Sequence, residues 1–81
     1  MRLEEVASQV LVNAGTFKTR EEALTSFKAE FNLHFPQRKY DDWNKDVPDA
    51  VVQNIIRNVG KNSSVSVRFL IKDLETISNF L

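Results

Sequence analysis

Two stretches, PDAVVQNIIRNV at residues 48–59 and VSVRFLIKDLETISNFL at residues 65–81, flank GKNSS at 60–64 and decide the fold class. In the first, Val51, Val52, Ile55, Ile56 and Val59 recur at three- and four-residue spacing, the period of a helix with one apolar stripe. Asp46 and Pro48 start it, because proline suits the first turn, where a backbone N–H has no helical acceptor, and Gly60 stops it. In the second, Val67, Leu70, Ile71, Leu74, Ile77 and Leu81 keep the same spacing, with Ser64 or Ser66 placed to cap the helix. Its opening residues also alternate in polarity, which is the pattern of a short strand over 64–69. The length of the periodic run favours the helix.

Working outward, Leu3, Val6, Ala7, Val10, Leu11 and Ala14 give a first helix over 3–14, closed by Gly15 in the position of a left-handed cap. Thr19 with Glu22 forms a capping box for a second helix over 20–32, burying Ala23, Leu24, Phe27 and Phe31. Phe35-Pro36 ends it. Residues 33–47 have no clear period, yet a structureless connector of that length is unusual in so small a domain. The expectation is a short helical turn over 40–44, with Phe35, Tyr40 and Trp43 folded back onto the core. The fold class is therefore all-α: one domain over 1–81, four principal helices and an extra turn. The alternative is α+β with a strand at 64–69.

Eighty-one residues supply a core only just sufficient for a stable domain, and the absence of cysteine removes disulfides and thiolate chemistry. The opening MRLEE has no signal-peptide character, and no apolar run is long enough to span a bilayer, so a cytoplasmic setting is expected. Lysine plus arginine and aspartate plus glutamate balance at eleven each, which gives no strong field toward nucleic acid or membrane. The balance is uneven along the chain. Residues 50–81 hold Arg57, Lys61, Arg68 and Lys72 against only Asp73 and Glu75.

His34 is the single histidine, so neither a paired-histidine metal site nor a nucleophile–base arrangement is apparent. Asp42, Asn44 and Asp46 match the first, third and fifth positions of a calcium loop, but Val47 stands where that loop needs glycine and Gln53 where it needs glutamate. Asp41, Asp42, Asp46 and Asp49 read instead as a solvated acidic turn before a helix N-terminus. Asn62-Ser63-Ser64 is a polar turn matching a glycosylation sequon, and neither Gly15 nor Gly60 belongs to a phosphate-binding loop. Tyr40 and Trp43 among Arg38, Lys39 and Lys45 have the composition of a base-stacking site, although core packing accounts for them better. No catalytic residue, cofactor or metal ligand is expected.

The run IIRNVGKNSSVSVRFLIKDL, residues 55–74, resembles the opening of winged-helix DNA-binding domains, in which a helix, a short strand and a second helix come in that order. The resemblance implies a DNA-binding regulator using residues 64–72, with Ser64, Ser66, Arg68 and Lys72 as the contact set. A helical wheel points elsewhere. At about 100° per residue, Val67, Leu70, Ile71, Leu74, Ile77 and Leu81 share one side, whereas Phe69 and Phe80 fall on the other with Thr76 and Val65 near them. A helix apolar on two sides is either central in its bundle or covers something outside its domain, and a fully surrounded helix is hard to build in a chain this short. The leading expectation is a non-enzymatic interaction or regulatory module. It docks another protein or a second copy of itself through Val65, Arg68, Phe69, Lys72, Thr76 and Phe80, without membrane contact, and DNA binding is the alternative.

Overall fold

The computed structural model describes residues 1–59 and 66–81. Among them five helices follow in chain order: α1 (Leu3–Asn13), α2 (Arg20–His34), the single turn α3 (Tyr40–Trp43), α4 (Asp49–Val59) and α5 (Val67–Phe80). The chain is a small all-α domain, and the alternative strand at 64–69 is corrected where it can be seen. Residues 67–69 form the first turn of α5, and 64 and 65 lie outside the described residues. The reason is local: the Ser66 side chain accepts from the Phe69 N–H at 3.2 Å and its carbonyl accepts from the Leu70 N–H at 3.1 Å. These bonds satisfy the backbone within the segment, with no neighbouring strand required.

The central element is α1, which packs against α2, α4 and α5. Leu3, Val6, Ala7, Val10 and Leu11 have no solvent exposure, and the small Ala7 lets neighbouring helices approach. The helix with packed neighbours on several sides is the first rather than the last, and Glu5 and Asn13 remain exposed on it. It ends at Asn13, with Gly15 at φ +78°, the left-handed conformation expected there.

Thr19 caps α2 by accepting from the Glu22 N–H, and Ala23, Phe27 and Phe31 fill the buried side. Leu24 is only partly buried, since it sits beside that stripe rather than on it. The helix runs to His34, two residues past the expected end, because the Phe35 N–H still reaches the Phe31 carbonyl at 2.8 Å before Pro36 interrupts. In α4, Val52 and Ile55 are buried and Val51 and Ile56 partly so. The Pro48 carbonyl accepts from the Val51 and Val52 N–H groups, which places proline just before the helix instead of inside it.

Residues 40–47 hold the bundle together. Trp43 has no exposure, and its ring lies 5.2 Å from Phe27, 5.0 Å from Phe31 and 5.3 Å from Tyr40 between centroids. Beyond it the backbone runs beside the chain start. The Leu3 N–H donates to the Lys45 carbonyl at 3.0 Å, and the Val47 N–H donates to the Met1 carbonyl at 2.7 Å. The Asn44 side-chain oxygen accepts from the Glu4 N–H at 3.0 Å, a helix cap supplied from forty residues away where the adjacent Arg2 side chain gives none.

Trp43→Ala is expected to lower the unfolding free energy by about 3–5 kcal/mol, and Asn44→Ala by about 1 kcal/mol, in urea titrations. The exposed Gln53→Ala serves as a reference and stays within about 0.5 kcal/mol of the parent.

Candidate functional site

The inner side of α5, formed by Leu70, Ile71, Leu74 and Ser78, is buried. Ser78 fixes the rotation of the helix: its hydroxyl donates to the Trp43 carbonyl at 3.1 Å and accepts from the Arg38 guanidinium at 3.3 Å. The Lys45 ammonium donates to the Ser78 carbonyl at 2.9 Å, beside the Leu81 N–H at 3.1 Å, in the last turn of the helix. Arg38 also lies 3.8 Å from Glu75. The inner face is thus tied to the 38–45 segment by both packing and polar contacts.

The opposite side is open. Phe69 is 58% exposed and Phe80 87%. They are eleven residues apart, just over three turns, so they share one line of the helix about 16 Å in length. Thr76 lies between them and donates to the Lys72 carbonyl at 3.1 Å, while Arg68 and Lys72 are exposed on one flank. Of the residues expected to bind a partner, Arg68, Phe69, Lys72, Thr76 and Phe80 are therefore brought together on one exposed side, and Val65 lies outside the described residues. Asp73 was missed. The wheel puts it within about 40° of both phenylalanines, so the strip is two aromatic ends with a polar middle.

Leu33 was missed as well. It is 71% exposed, and it falls past the point where periodicity ended the second helix. Two open surface grooves lie on or beside α2. One, of about 540 Å³, is lined by Phe17, Glu21, Glu22, Thr25, Ser26 and Ala29. The other, of about 370 Å³, is lined by residues 34–38, where His34 stands 3.2 Å from Glu30.

The residues resembling a calcium loop are used otherwise. Asn44 caps α1, and Asp46 pairs with the Met1 amino group at 3.1 Å. Among the described residues, no group of three histidine, cysteine, aspartate or glutamate side chains is arranged to hold a metal, and no helix is long and apolar enough to cross a membrane. Tyr40 and Trp43 pack on the core, the reading preferred over base stacking. The indole is enclosed, and Tyr40 packs edge-on against Phe31 with 5.2 Å between centroids.

Tyr40 belongs to a polar cluster at the core's edge. Its hydroxyl donates to Glu4 Oε2 at 2.6 Å, and the Lys28 ammonium lies 3.9 Å from that same oxygen and 5.5 Å above the phenol ring. Burial foremost, then the hydrogen bond and charge of Glu4, raise the Tyr40 pKa well above its ordinary 10.0. The unfolded chain therefore releases this proton more readily, and stability falls as pH rises past 10.0. Tyr40 is the only tyrosine, so phenolate absorbance reads it alone. The native protein is expected to titrate later than its urea-unfolded form, and Tyr40→Phe to weaken the alkaline loss of stability. Coincident titration curves contradict this environment. No protein-family model, curated protein or solved structure matches the chain.

Proposed function

We propose that the protein is a small, non-enzymatic interaction module that docks a protein partner through the outer side of α5. One observation carries the reading: Phe69 and Phe80 stand exposed on the same side of a helix whose other side is fully packed. Scattered single apolar residues on a surface are ordinary, but two phenylalanines aligned on one rigid helix form a repeatable contact geometry. Aromatic side chains are enriched at the buried centres of interfaces, and Arg68 and Lys72 supply the charged rim that such centres have.

The test is affinity purification of the tagged chain from extracts of its own cell, comparing the parent with Phe69→Ser/Phe80→Ser and with Gln53→Ala. Neither phenylalanine holds the core, so the double variant is expected to keep its helical circular dichroism. A stoichiometric protein species, whether another polypeptide or the untagged chain, is expected with the parent and Gln53→Ala and absent with the double variant. An identical set of species in all three purifications, or nucleic acid as the co-eluting species, overturns the proposal.

A further inference from the structure

We draw no further inference here: the strongest candidate, the open groove on the outer face of α2 lined by Phe17, Glu21, Glu22, Thr25, Ser26 and Ala29, is an apolar surface with an acidic rim, and nothing in the structure shows what covers it.

Discussion

Trp43 fastens three remote parts of the chain at one point. Its ring is buried between Phe27 and Phe31 of α2, its carbonyl accepts from Ser78 of α5, and the residues after it run beside the start of α1. The bond to Ser78 has a geometric consequence for the outer surface. With about 100° between successive residues, a helix that points Ser78 inward must point Phe80, two residues on, and Phe69, nine residues back, outward. Exposure of the two phenylalanines follows from the way the strap at 40–47 orients α5.

That orientation needs a satisfied polar group in the core. Ser78 has no exposure, yet its hydroxyl donates to Trp43 and accepts from Arg38, while its carbonyl accepts from Lys45. Replacing such a serine by an apolar residue would remove two hydrogen bonds, leaving the Trp43 carbonyl only the Lys45 N–H at 2.8 Å, at a cost of about 1 kcal/mol. The indole N–H of Trp43 is itself buried without a hydrogen bond among the described residues. Packing of the ring against three aromatic neighbours outweighs that loss.

The helices were legible in the sequence because each one declares its buried side through spacing within a dozen residues. Val6, Ala7, Val10 and Leu11 did so for α1, and Thr19 and Ser66 marked helix starts. The strap was legible only as a demand that residues 33–47 fold back. Its hydrogen bonds join residues 44–47 to residues 1–4, and no local period encodes pairing across forty positions. For the same reason the central place of α1 could not be read. Periodicity reports that a helix has an apolar side, not how many neighbours surround it. The outward turn of Phe69 and Phe80 was legible from the wheel alone. Leu33 escaped because proline at position 36 suggests an earlier stop than the backbone makes.

A domain of this size has little apolar surface to spare, and full burial of a phenylalanine contributes about 1.5–3 kcal/mol. Here Phe69 and Phe80 contribute little of that to folding, because the core closes around Trp43 and α1 without them. Their burial free energy is still available when a surface covers them. Folding and the proposed docking would therefore draw on different side chains: Leu70, Ile71, Leu74 and Ser78 hold α5 in place, and the residues between them on the outer side stay exposed. A helix divided in this way allows substitutions on its outer side while the bundle beneath it keeps its stability.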